Sequence, residues 1–166
     1  MAKYIANVTG QLTEIAGIST SAGAGDAGKI PQLDGTGRLD ATLMPVGLGA
    51  DTQAIVTSEA LAAGDYVNIH NSAGAKARKA DATTAGKEAH GFVLAAFGSG
   101  ATATVYMEGT NTQVTGQTAG RVYLSTTAGA GTATPVSGAG QVSQVIGFAT
   151  STTTVNFHSG DTVVLA

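Results

Sequence analysis

Three histidines, His70, His90 and His158, each fall at the end of a stretch with strand character, and three imidazoles suffice to hold a zinc ion. None has the short His spacing of a zinc motif, so exposed histidines flanking strands are the expectation. Gly23–Lys29, GAGDAGK, matches a phosphate-binding loop up to its lysine. Such a loop needs a Ser or Thr next, for Mg²⁺, and a helix whose N-terminus faces the phosphate. Ile30 and Pro31 follow instead, and no apolar strand precedes it. Asp34–Asp40 lacks the ligand spacing of a calcium loop. The carboxylates Glu59, Asp65, Asp81, Glu88, Glu108 and Asp161 are scattered through turn-like contexts, and no G-x-S-x-G elbow is present. The residues therefore point away from an enzyme and imply no catalytic residue, cofactor or metal.

The elements that carry these side chains read as β from Thr52 onward. Expected strands are Thr52–Thr57, Asp65–His70, Ala75–Ala80, His90–Phe97, Ala101–Glu108, Arg121–Ser125, Val142–Thr150, Thr153–His158 and Thr162–Leu165. Alternation is clearest where Tyr66, Asn68 and His70 oppose Val67 and Ile69. Short strands with Gly, Asn and Ser turns and no helical pattern between them indicate a sandwich or barrel. Part of this region is written twice. Gly91–Gly109 is echoed by Gly147–Gly160, and Gly64–Ile69 upstream of the first is echoed by Gly120–Ser125 upstream of the second, both pairs 56 residues apart. A long period present only twice implies a pseudo-symmetric β domain, not a solenoid. Phe92–Phe97 and Val145–Phe148, apolar on both faces, are expected to be central strands that meet in the core.

Composition limits the partners. With 24 Gly, 5% aromatic and 11% charged residues, the chain carries less than half the usual charge. Small side chains bury little apolar area, so part of the stability is expected to come from assembly. A net charge of −3 excludes nucleic acid as the main partner. No apolar run approaches a membrane span and the first residues lack a signal-peptide core, so synthesis in the cytoplasm is expected. Lys76, Arg78 and Lys79, with Lys87 nearby, suit either a charge-protected edge strand or a contact with an acidic neighbour.

Residues 1–45 read as a separate arm and linker, and 46–166 as the β domain. Ile5, Val8, Leu12 and Ile15 have a 3-4-3 spacing that would make a helical seam. Two heptads are too few for a coiled coil, and Gly10 and Gly17 disfavour a helix, so an extended arm that orders on a partner is expected. Residues 19–28 read as a flexible linker. Asp34–Gly37 reads as a tight turn between Ile30–Leu33 and Leu39–Met44, with Pro31 and Pro45 restricting the ends.

Gly28–Pro45, GKIPQLDGTGRLDATLMP, resembles a segment, G-K-I-x-x-L-D-x-x-G-x-L-D-x-x-L-x-P, common in virion proteins of tailed bacteriophages, where it joins an attachment arm to a β domain. Leu61–Ile69, Arg78–Gly86, His90–Val93 and Gly120–Gly129 resemble capsid decoration proteins, the cement or head-fibre proteins, of such phages. The resemblance implies an all-β fold, a small sandwich or barrel, jelly-roll-like or β-tulip-like, with an extended N-terminal arm. It implies a homotrimer on the capsid surface of the virion, stabilising the shell by binding the major capsid protein. Contact candidates are then Ile5, Val8, Leu12, Ile15, Lys29, Ile30, Leu33, Arg38, Leu39 and Leu43. The alternative is a tail-fibre or receptor-binding module touching the host surface.

Overall fold

A computed structural model describes residues 3–44 and 50–166. The chain is all-β, without an α-helix among the described residues, and divides into two compact units, Met1–Gly49 and Ala50–Ala166. The boundary expected after Pro45 lies outside the described residues.

In the first unit β1 (Lys3–Val8) and β2 (Gln11–Ala16) form an antiparallel hairpin. Thr9 and Gly10 both take positive φ at its turn, which suits a two-residue hairpin loop. The arm is extended, as expected, but folded back on itself.

The second unit begins with a closed barrel. Its strands are β3 (Thr52–Thr57), β4 (Tyr66–Asn71), β5 (Ala75–Lys79), β6 (Gly91–Phe92) and β7 (Thr102–Tyr106), in the order β3-β5-β4-β6-β7. Five strands leave a narrow interior, which is why its filling includes Ala77 and Ala103 beside Ile55, Val67, Val93 and Val105. A second sheet follows, from β8 (Gly109–Asn111), β9 (Gly120–Leu124), β10 (Gly131–Thr132), β11 (Val142–Ser151) and β12 (Thr154–Phe157), ordered β10-β9-β11-β12-β8. β13 (Thr162–Val164) pairs with the start of β11.

The two strand orders are the same. β5-β4-β6-β7-β3 in the barrel corresponds element by element to β10-β9-β11-β12-β8, so the sequence echo is a structural one. The first copy closes because β3 pairs in parallel with β5 at Val56–Lys76 and Thr57–Ala77. In the second copy the chain beyond β8 turns towards the first: Asn111 donates its side-chain N–H to the Gly64 carbonyl at 2.9 Å and accepts from the Gln113 amide.

The repeated glycines have a shared cause. A Cβ on Gly91 would stand 2.6 Å from the Tyr106 carbonyl oxygen on β7, and one on Gly147 would overlap the Asn156 carbonyl on β12. Gly147 also has φ +135°. Each copy needs a residue without a side chain where its β6 or β11 strand presses on the next strand.

Three expectations change. His90–Phe97 is not one strand: after Phe92 the chain bends, and Phe97 exchanges backbone hydrogen bonds with Leu61. Its two-sided apolar pattern arises because Phe92 packs in the core between barrel and sheet, while Val93 and Phe97 pack in the barrel core. Phe92 and Ile146 do share that first core. Phe148, read as central, is 55% exposed. The basic strand is not an edge, because β5 is paired on both sides.

Alanine at Gly147 should lower the unfolding free energy by more than about 2 kcal/mol, from carbonyl overlap added to a strained φ. Alanine at Gly98, where a Cβ meets nothing within 4 Å, should be close to neutral. Urea unfolding of both variants checks the pair.

Candidate partner-binding arm

The hairpin register sorts the arm's apolar residues. Ile5 pairs with Glu14, Asn7 with Leu12, Tyr4 with Ile15 and Val8 with Gln11. With side chains alternating along each strand, Ile5 and Leu12 share one face, and Tyr4, Val8 and Ile15 share the other. Ile5 is 72% and Leu12 80% exposed; Val8 is exposed and Ile15 half-buried. Lys3 and Glu14 form an ion pair on the first face. The 3-4-3 spacing that would have made one helical seam thus supplies two apolar faces. A two-stranded hairpin has little independent stability in water. Apolar side chains on both faces suit insertion between two surfaces better than lying flat on one.

From Gly17 to Met44 the chain is irregular but tied. Ile18 donates its backbone N–H to the Ile30 carbonyl at 3.0 Å, and its own carbonyl accepts from Gln32 at 2.8 Å. The stretch expected to be a flexible linker contains a 3₁₀ turn at Ala24–Asp26. The Asp26 carboxylate accepts from Lys29 Nζ at 2.5 Å and from the Ala22 amide at 2.6 Å, and both hold its pKa below the ordinary value. The lysine of the would-be phosphate loop therefore closes a turn onto an aspartate.

Two Asp-x-Thr turns shape the rest. Asp34 Oδ1 accepts from the Thr36 hydroxyl at 2.7 Å and from the amides of Thr36 and Arg38, and Asp34 N–H donates to the Arg38 carbonyl. That closes the expected tight turn. Asp40 Oδ1 accepts from the Thr42 hydroxyl and amide, capping the 3₁₀ turn Ala41–Leu43. Thr42 Oγ1 in turn accepts from the Ser21 amide, joining the two ends of the segment. Around these turns Ile30, Leu33 and Leu39 are about half exposed, Lys29 and Arg38 are exposed, and Leu43 is half-buried. Eight of the ten contact candidates are thus exposed. Met44, at 40% exposure, joins them; its place after the last turn was the available signal. Pro45 lies outside the described residues.

The histidines do not converge. His70 Nε2 lies 3.0 Å from Ser58 Oγ, His90 Nδ1 accepts from the Ile69 amide, and His158 faces Glu108 at the surface. Among the described residues no group of three His, Asp or Glu side chains is arranged to hold a metal. The carboxylates are engaged structurally: Asp65 faces Lys79 Nζ at 3.3 Å, and Asp81 faces Lys87 Nζ at 2.9 Å. Burial raises the Asp81 pKa, but the Thr83 hydroxyl, Lys87 and the Thr83 amide outweigh it and leave it below the ordinary value. No family model, curated protein or solved structure matches the chain.

The Asp34 and Asp40 carboxylates are held below the ordinary 3.8, first by the hydroxyls of Thr36 and Thr42 and then by backbone amides. A depressed folded pKa means that their contribution is complete above pH 3.8 and is lost as pH falls through the folded values. Amide protection factors in residues 17–44, taken against the intrinsic exchange rate at each pH, should therefore fall on acidification while those in β4 and β11 stay high. D34N with D40N should reproduce that loosening at pH 7.

Proposed function

We propose that this chain is a structural virion protein of a tailed bacteriophage that decorates and stabilises the capsid shell by binding the major capsid protein. The observation that carries the reading is the concentration of exposed large apolar residues in the arm: Ile5, Val8, Leu12, Ile30, Leu33, Leu39 and Met44. The β domain, by contrast, exposes only Phe148, Val163 and Val164 among its described large apolar residues. A tied arm with apolar side chains on both hairpin faces suits attachment to a partner surface. The resemblance of Gly28–Pro45 to phage attachment linkers gives that partner its identity in this reading, and extends it to a homotrimer on the capsid surface.

Decoration works by mass action. A protein that binds the assembled lattice and not its dissociated subunits stabilises the lattice by RT ln(1 + [L]/Kd). Linking three arms in one trimer multiplies weak individual contacts. No bond is made or broken, so this role requires neither catalytic residue nor cofactor.

Added to shells stripped of decoration, the intact chain should raise their temperature of thermal disruption. The double variant I5D/L12D should bind at least ~100-fold more weakly, because it places two charges in a desolvated contact. Far-UV circular dichroism of that variant should show the β domain unchanged. Protection by the double variant equal to the parent's would remove the arm from the contact. Binding of the intact chain to host cells but not to shells would favour the receptor-binding alternative.

A further inference from the structure

The β domain carries an open cleft of about 370 Å³, lined by Ser58, Glu59, His70, Arg78, Lys79 and Lys87 among others. Three of the chain's eight Lys and Arg residues gather there. Two of them are matched inside the protein, Lys79 by Asp65 and Lys87 by Asp81. Arg78 is not. Its Nε donates to Asn68 Oδ1 at 3.0 Å and its Nη2 to the Gly86 carbonyl at 2.6 Å, both neutral acceptors, and no described carboxylate lies within ion-pair distance. Asn68 is itself buried and fixed by donating to the Glu88 carbonyl at 2.8 Å. The guanidinium is thus held rigidly at the cleft wall with its charge unmatched. Nearby, Ser58 Oγ and His70 Nε2 stand 3.0 Å apart and add hydroxyl and imidazole groups to the same lining.

We propose that this cleft is a binding site for a carboxylate, anchored by Arg78 and assisted by Ser58 and His70. A guanidinium fixed by neutral partners is pre-organised for the planar, two-oxygen geometry of a carboxylate and loses little freedom on binding. Glu59 and Asp81 in the lining set the selectivity. With Asp65 counted as the partner of Lys79, three cations stand with three carboxylates, so the free guanidinium edge of Arg78 and not a net positive charge selects the ligand, and a phosphate dianion meets Glu59 and Asp81 as like charges. The carboxylate arrives either as an acidic side chain of a neighbouring protein surface or as a small free acid. The site lies wholly in the β domain and does not depend on the capsid reading.

The test is an NMR titration of the full-length ¹⁵N-labelled chain with acetate, with the capped peptide acetyl-Gly-Glu-Gly-amide, and with inorganic phosphate. Saturable shifts at Arg78 Nε, and at the Ser58 and His70 amides, are expected with the first two. Peptide binding tighter than acetate marks a protein surface as the source; equal binding marks a free acid. R78Q should weaken binding by about tenfold or more, the effect of losing one charge-assisted hydrogen bond. Because Arg78 also holds Asn68 and Gly86, S58A is the second variant: it leaves those bonds in place and should weaken binding by a smaller factor. R121Q, with its substitution on β9, should bind as the parent does. Absence of saturable shifts, stronger binding of phosphate, or parental affinity in both R78Q and S58A would overturn the proposal.

Discussion

One aromatic cluster joins the two halves of the β domain. Tyr66 stacks on Phe157 at 5.8 Å between ring centroids, Phe157 meets Phe92 edge-on at 5.6 Å, and Phe92 stacks on Tyr106 at 5.3 Å. Four of the chain's eight Tyr and Phe residues are spent there. Phe92 and Tyr66 come from the outer wall of the barrel, and Phe157 from the facing sheet. Aromatic side chains bury the largest areas of any residue, and Tyr66 and Phe92 are the largest fully buried side chains in a chain rich in Gly, Ala and Thr. The same contact leaves the first half of β4 without a solvent face: Tyr66 enters the shared core and Val67 the barrel core. Burial of the Tyr66 phenol raises its pKa, so it stays neutral at any ordinary pH.

Around this cluster, side-chain amides hold what small residues cannot. Gln144, buried on β11, accepts from the Ala89 amide at 2.8 Å and donates to the Ala89 carbonyl at 2.9 Å, replacing a strand pairing across the loop that leads into β6. Asn68 and Arg78 fix the same loop from the barrel side. Fixing that loop is what leaves the guanidinium immobile at the cleft, so a device for stability also shapes a candidate binding site. The arm achieves order by a cheaper local means, through Asp-x-Thr turns that need no core.

Most of the barrel and sheet was legible in the sequence because alternation survives where one face is buried, as in β4, β7, β11 and β12. The duplication was legible because a backbone contact demanded glycine at both Gly91 and Gly147. Where two cores share one segment, periodicity misleads: Phe92–Phe97 reads as a long strand, yet only its first residue continues the ladder. The three-residue β8 and two-residue β10 were missed, since elements that short carry no period. The hairpin was hidden for another reason. Ile5, Val8, Leu12 and Ile15 fit a helical seam as well as two strand faces, and only Thr9-Gly10 marked the turn. Arg78 was visible as part of a basic run, but its lack of a carboxylate partner is a property of the folded state alone.

In the proposed role the arm would attach and the β domain would be displayed, many times over, on a symmetric shell. The most direct measurement is the copy number of this chain in purified virions, by quantitative mass spectrometry against the major capsid protein. The account predicts a number on the scale of the capsid lattice, with the chain lost from the particle when the arm is deleted. A number on the scale of a single tail appendage would contradict it.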